Sequence, residues 1–312
     1  MTTRKEFLAS AAAFAAAGAS AAGRESSGSG GVRIRFLGTG SARWNPAVAS
    51  KPGARRFSSI LVENSVMIDC STTAFDKMPA GCRPQAIFLT HSHQDHYNPA
   101  AVAKSGAERV YAHESWAAAA EKEIADEARK AGRKAPRTIP LAFAQTVEEC
   151  GMKFTIVPSN HSTSRLTNGV LERTGMYLVE KGASRILYAT DTAGIPGDSA
   201  RMIGIDPHIG AKNPRHAGNP FIGETKPLTG MIMEATSGID DEDFRMFAHS
   251  SVQTVSRTAN MLLKHKRLVL PPGGSVFITH LALRYYFWPP EKIDAELPRP
   301  LRAAADGMEV VL

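Results

Sequence analysis

The sequence predicts a layered α/β fold built of two similar halves, and three observations predict it. First, strand-like apolar runs are separated by helical stretches in both halves of the chain. Second, four of those runs stop just before a side chain of the kind that binds metal. Ile87, Phe88 and Leu89 precede His91, and Phe154 to Val157 precede His161. Ile186, Leu187 and Tyr188 precede Asp191, and Val276, Phe277 and Ile278 precede His280. Strands ending at one edge of a sheet deliver their following residues to one place, where open sheets put ligands. Third, 312 residues with 43% hydrophobic content are enough to bury one large core or two stacked ones.

Residues 1–31 read differently from the rest and are set apart as an export signal and flexible linker. Arg4 and Lys5 make a basic start, Phe7 to Ala17 an apolar stretch, and Ala19-Ser20-Ala21 a small-residue cleavage site before Gly28-Ser29-Gly30-Gly31. Thr3-Arg4-Lys5-Glu6-Phe7-Leu8 resembles a twin-arginine signal with Lys5 in place of the second arginine, and a general secretory signal fits the same layout. Either route puts the protein outside the cytoplasm, with the periplasm as the expected destination. The apolar stretch is shorter than the about 20 residues of a membrane span, so the mature protein is expected to be soluble, without a membrane span.

Residues 32–312 are expected to form a single domain. Val32 to Leu37 alternates apolar and basic residues as an opening strand, and Gly38-Thr39-Gly40-Ser41 reads as a tight turn. A dinucleotide fingerprint needs a further glycine at position 43, which is Arg43. Ile60 to Cys70 reads as a hairpin around Glu63-Asn64-Ser65, ending at Asp69. Glu114 to Lys134, rich in alanine and charge, predicts a helix, as does Ser251 to Lys266. Gly194 to Gly230 holds seven glycines and five prolines in 37 residues, too long for a routine connection. A flap over the substrate is expected there, with a structural embellishment or an oligomer contact as the other readings. Met231 to Ala235 resumes a strand, and Met308, Val310 and Leu312 alternate as the closing one.

Composition narrows the chemistry. The formal charge is +7, nearly all of it in residues 32–312, which suits a small anionic substrate. No run of lysine or arginine marks a nucleic-acid track, so no stable nucleic-acid partner is expected; a homo-oligomer is compatible with everything above. Cys70, Cys82 and Cys150 contain no CxxC pair. They read as buried free thiols, with a Cys70–Cys82 bridge allowed by an oxidising compartment.

The densest signal is Thr90-His91-Ser92-His93-Gln94-Asp95-His96. Three imidazoles and a carboxylate within six positions supply nitrogen and oxygen donors suited to zinc, with manganese or iron also accepted. His91 and His93 face one cation, while Asp95 and His96 are placed for a second. Two cations about 3.5–4 Å apart clamp both sides of a displacement. His113, His208, His216 and His265 lack the strand-end setting and are taken as ordinary residues.

The series HxHxDH followed by a single His, a single Asp and a single His resembles the metallo-β-lactamase superfamily over residues 32–312. That resemblance implies a four-layer αββα sandwich with a dinuclear site at one edge. It implies that His91, His93 and His161 hold one metal, that Asp95, His96 and His280 hold the other, and that Asp191 bridges them. Asp69, at the end of its strand, is implied to position a ligand from outside. Several lactamases proper carry cysteine where this chain has Asp191, so antibiotic hydrolysis is not expected.

Three more strings resemble the ribonuclease Z group: Met233-Glu234-Ala235-Thr236, Ala248-His249-Ser250-Ser251, and Thr279-His280-Leu281-Ala282-Leu283-Arg284-Tyr285. They imply a phosphodiesterase cleaving small phosphate diesters through a hydroxide held by the metals. His249 is to protonate the departing oxygen and Glu234 to orient it. Asp95 or Asp191 steers the nucleophile's proton, and Arg284 pairs with phosphate. The 30 positions from His161 to Asp191 leave little room for the long arm of tRNA-processing relatives. A lactonase or thioesterase using the same site, or a non-catalytic metal-binding protein, are the alternatives.

Overall fold

The computed structural model describes residues 30–42, 48, 51–208, 223–239, 244–285 and 287–312. Residues 1–29 of the expected signal and linker, Arg43, His216 and residues 209–222 of the long loop lie outside the described residues.

Sixteen strands are described, fourteen of them in two seven-stranded sheets. In the first sheet β1 (Arg33–Gly38), β2 (Ser59–Val62), β3 (Val66–Ile68), β4 (Ala86–Phe88), β5 (Arg109–His113) and β6 (Arg137–Leu141) lie in chain order, with β16 (Glu309–Val311) beyond β1. In the second the order is β15 (Leu301–Ala303), β14 (Val276–Thr279), β13 (Gly230–Glu234), β12 (Ser184–Ala189), β11 (Gly175–Lys181), β8 (Met152–Pro158) and β7 (Thr146–Glu149). Each sheet is antiparallel at one side and parallel at the other. The two halves therefore repeat one plan. A short ribbon, β9 (Leu166–Thr167) with β10 (Val170–Leu171), stands apart from both sheets.

Side-chain parity explains the layering. In β4, Ala86 and Phe88 face the core between the sheets while Ile87 faces outward onto helices. In β12, Ile186 and Tyr188 face that central core, whereas Leu187 and Ala189 face the other helical layer. Successive strand residues point to opposite faces, so a strand apolar at every position must be covered on both. The covers are α1 (Pro99–Ser105) and α2 (Glu114–Lys130) on the first sheet. On the second they are α4 (Val252–Lys264) and α5 (Pro290–Asp294), preceded in the chain by the short α3 (Gly197–Met202). The result is the expected αββα sandwich. Phe88 sits at its centre, stacked on Tyr111 at 4.5 Å and on Phe154 at 4.3 Å, with Tyr177 edge-on at 5.4 Å. Truncating a ring so placed costs about 3–5 kcal/mol.

The local expectations hold with small adjustments. The hairpin forms with a three-residue turn, Glu63-Asn64-Ser65, in which Glu63 and Asn64 take left-handed backbone at φ 49° and 53°. The helix foreseen from Glu114 ends at Lys130 rather than Lys134, and the second is capped by Ser251, whose hydroxyl accepts from Thr254 N. Gly38 is irreplaceable where the opening turn begins, because a Cβ there would lie 1.9 Å from the Phe57 carbonyl oxygen. The segment from Gly194 is less irregular than its composition suggests: it contains α3, and Ser199 donates to the Pro158 carbonyl at 2.5 Å. All three cysteines are free, but only Cys70 is buried; Cys82 is half-buried and Cys150 exposed. No helix among the described residues is long and apolar enough to cross a membrane.

His113 corrects one sequence argument, since it does end a strand. Its ring lies 4.1 Å from that of Phe143 and its Nδ1 accepts from Ser115 N at 3.2 Å, capping α2. Burial, and then Arg173, pushes this imidazole down to about 4. A histidine whose folded pKa is depressed stabilises the fold fully above its unfolded value of about 6.5 and loses that contribution as pH falls toward 4. Thermal melts should therefore show Tm dropping more steeply between pH 6.5 and 4 in the native chain than in His113→Gln.

Candidate metal centre

One edge of the sandwich collects the ends of six strands. Asp69 follows β3, His91 follows β4, His161 follows β8, Asp191 follows β12 and His280 follows β14, while Glu234 is the last residue of β13. Asp69, Asp191 and His280 take left-handed backbone, with φ of 64°, 48° and 53°. For residues with a Cβ this conformation is costly and is kept where the surroundings enforce it. Here it turns each chain at the sheet edge.

Two donor groups result. His91, His93 and His161 bring one ring nitrogen each within 4.8 Å of one another, and so do the ligand atoms of Asp95, His96 and His280. In the first group, His93 Nδ1 is 3.0 Å from His91 Nε2 and 3.3 Å from His161 Nε2. In the second, His280 Nε2 is 3.1 Å from His96 Nε2 and 3.3 Å from Asp95 Oδ2. Asp191 reaches both. Its Oδ2 lies 2.8 Å from His96 Nε2 and 3.2 Å from His280 Nε2, and its Oδ1 lies 3.8 Å from His161 Nε2. The seven residues singled out in the sequence thus meet in one cluster, in overlapping groups that also join His91 to His96 and Asp191.

The outer hydrogen bonds decide which nitrogen faces inward. His96 Nδ1 donates to Asp69 Oδ2 at 2.8 Å. Thr236 donates its hydroxyl to the His280 carbonyl at 2.8 Å and accepts from His280 Nδ1 at 2.6 Å. His91 Nδ1 donates to Thr90 Oγ1 at 3.0 Å, because the Thr90 hydroxyl is itself given to Asp69. His161 Nδ1 donates to the Ala248 carbonyl at 3.2 Å. Each of these four rings therefore spends its one neutral-state proton outward and turns a bare Nε2 to the centre. Such lone pairs facing each other at 3.1 Å repel unless a proton or a metal cation lies between them. Donors about 2.0–2.1 Å from a tetrahedral zinc stand about 3.3 Å apart, so the donor set and its spacing fit divalent metal.

Electrostatics agrees with that geometry. Burial, reinforced by neighbouring imidazoles, pushes His91 well below its ordinary value and also lowers His93 and His161, which keeps them neutral ligands. Burial works to raise Asp191, yet His280 and His96 hold it well below the carboxylate range; His96 does the same for Asp95. His96 is driven the other way: against burial, Asp191, Asp95 and Asp69 raise it well above normal. Three carboxylates around one imidazole call for positive charge at that point, which a cation supplies.

A cavity of about 340 Å³ opens over the cluster. His249, from the turn after Phe244–Phe247, sits on its wall with Nδ1 at 3.0 and 3.1 Å from the two oxygens of Glu234. Glu234 is fully buried and also accepts from Thr192 N at 2.5 Å and Thr236 N at 3.2 Å. Burial opposes charge on His249, but Glu234 and then Asp191 lift it to about 9. Arg284 lines the same cavity, anchored by its Nη2 on the Ser237 carbonyl at 2.7 Å. Gly238 makes room for it, since a Cβ there would fall 2.0 Å from that Nη2. Among the described residues, nothing from 194–208 or 223–230 lines the cavity. Ser41, Ala42 and Arg245 line it instead.

Sequence reasoning missed Arg245, Thr90, Thr236 and Glu172. Thr90 adjoins His91 and was open to inspection; Glu172 carried no signal. This carboxylate is 2% exposed and accepts from Ser92 N at 2.7 Å and Ser92 Oγ at 2.5 Å. It thereby clamps the residue between His91 and His93 from 80 positions away. Outer partners of this kind are worth about 10–100-fold in metal affinity. Glu172→Ala should weaken cobalt binding by that factor at the three-histidine group in a spectroscopic titration, with Glu172→Gln restoring part of it.

Comparison with known proteins bears on the fold. Residues 64–218 match the model of the beta-lactamase superfamily domain. No curated protein matches the chain in sequence. Among solved structures, the metallo-β-lactamase-fold protein YhfI from Bacillus subtilis is similar at 13% identity and TM-score 0.58, over 91% of this chain and 100% of its own. Zinc-bound PqqB from Methylobacterium extorquens is similar at 16% and 0.60, over 90% and 100%. The short form of human tRNase Z is similar at 18% and 0.57, over 89% and 98%. At such identities the likeness is one of architecture.

Proposed function

This chain belongs to the metallo-β-lactamase superfamily of hydrolases, and we propose that it is a two-metal phosphodiesterase acting on anionic phosphate diesters. The observation that carries the reading is the His249–Glu234 pair. A fully buried carboxylate fixes Nδ1, which leaves Nε2 as the ring atom available to a substrate in the cavity. With Arg245 and Arg284 on the same wall, the cavity has positive side chains beyond the metal cluster. A diester anion uses them; a neutral lactone or thioester does not. The fold alone does not choose, since it is shared by PqqB and by tRNase Z.

His91, His93 and His161 would hold one divalent ion, Asp95, His96 and His280 the second, and Asp191 both; zinc suits these donors. Metal so held supplies Lewis acidity toward a phosphoryl oxygen and lowers the pKa of water. The chain does the rest. Asp95, which lines the cavity, takes up the proton of the attacking water, and Arg284 neutralises a non-bridging oxygen. As the bond from phosphorus to the departing alcohol breaks, that oxygen takes its proton from His249 Nε2, and Glu234 keeps the ring aimed. Asp69 acts on His96 directly and on His91 through the Thr90 hydroxyl.

Hydrolysis of bis(p-nitrophenyl) phosphate by the metal-loaded protein, set beside lactone and thioester substrates, tests the assignment. Turnover of carboxyl esters without turnover of the diester would sink it. Export to the periplasm is part of the proposal, resting on the basic start and apolar stretch of residues 4–21. Cell fractionation checks it.

A further inference from the structure

A second cavity of about 420 Å³ lies behind the wall of the first, and it is built of positive charge. Lys51, Arg55, Arg56 and Lys77 line it against one acid, Asp306. The arginines are part of the frame. Arg55 is 4% exposed, and its bonds include Thr39 Oγ1 at 2.5 Å, the Ala304 carbonyl at 2.6 Å and the Tyr285 carbonyl at 3.4 Å. Arg56 Nε is bound by Asp76. Asp306 faces inward to Thr39 Oγ1 at 2.7 Å and to Arg56 N at 2.6 Å, and burial, against Arg55 and Arg56, raises its carboxyl. Lys51 and Lys77 are different: both are exposed, and neither has an acidic partner among the described residues. Lys51 Nζ rests 5.6 Å above the Phe287 ring, and Lys292 adds a further cation over Trp288, at 3.8 Å, on the same rim.

The two cavities share a partition. Thr39 and Tyr285, the anchors of Arg55, stand beside Ser41 and Arg284, which line the metal cavity. We infer that the cleft binds further phosphates of a substrate whose scissile diester lies at the metal cluster, so that the enzyme acts on a phosphodiester chain rather than on an isolated diester. This rests on the phosphodiesterase reading and adds to it the substrate's length. Two unpaired ammonium groups over a buried guanidinium attract successive phosphates, and the attraction weakens with salt.

Binding and turnover together test the inference. A fluorescein-labelled hexathymidylate with phosphorothioate linkages is titrated into the metal-loaded protein at low salt and followed by anisotropy. Lys51→Glu/Lys77→Glu should weaken binding about tenfold or more, whereas Lys122→Glu/Lys134→Glu, the same charge change on and beyond α2, should weaken it less than about threefold. The preference for oligothymidylate over dithymidine monophosphate, as a ratio of kcat/KM, should fall toward one in the first variant only. Equal weakening by both charge swaps, or an unchanged ratio, would overturn the cleft. Lysine-dependent binding without hydrolysis of any diester would instead uphold the cleft and reject the phosphodiesterase assignment.

Discussion

Asp191→Asn should lose both metal equivalents and on the order of 10³-fold or more of hydrolytic rate while keeping the fold. Among the described residues the side chain is the one carboxylate that reaches both donor groups, at 2.8 and 3.2 Å on one oxygen and 3.8 Å on the other. Asparagine tolerates the left-handed backbone at this position, so the strand end remains in place. What disappears is the negative charge that offsets two cations, together with one bridging oxygen. Ligands that bind only the folded state raise its stability by mass action. Zinc added to the metal-free native chain should therefore raise Tm, and the same addition to Asp191→Asn should leave Tm nearly unchanged. Elemental analysis after saturating supply gives the stoichiometry directly. Two equivalents retained in the variant would refute the bridging role.

His249→Ala should show a different pattern, with metal content unchanged and a loss that depends on the leaving group. Positioned general acids contribute about 10²–10⁴-fold. That contribution is needed when an alkoxide departs and is largely dispensable when p-nitrophenolate does. A diester with an alkyl leaving group should lose the full factor, and bis(p-nitrophenyl) phosphate should lose about tenfold or less. Glu234→Gln should fall between, since the amide still touches Nδ1 but no longer supports charge on the ring. His249 also lies within ligand distance of His161 and Asp191, which makes metal content the discriminating measurement. A lost equivalent would make His249 a ligand through Nε2, with Nδ1 still held by Glu234.

Much of this centre was legible in the sequence alone. His91, His93, Asp95 and His96 lie within six positions, and nitrogen and oxygen donors packed so densely along a chain are rare except around a metal. His161, Asp191 and His280 were legible because each follows an apolar run by two to four positions, a local pattern. Glu172 was not, since its whole effect is a contact with Ser92 across 80 positions. The strand-end rule also failed in the opposite direction at His113, where a strand does end on histidine and the ring packs on Phe143 instead. In the long segment from Gly194, the glycine and proline spacing conceals the short α3.

By itself, then, the chain's order of residues determined that there are buried strands, which faces they cover, and that donor side chains stand just past their ends, because periodicity and strand length are local properties. Tertiary structure alone decided which nitrogen of each imidazole faces the centre. That choice depends on where the other nitrogen gives its proton, and the acceptors for His96, His280 and His161 are Asp69, Thr236 and the Ala248 carbonyl, each from a distant segment. It also decided that the basic residues around Arg55 share a partition with the metal cavity, since charge in a sequence has no position until the sheets close.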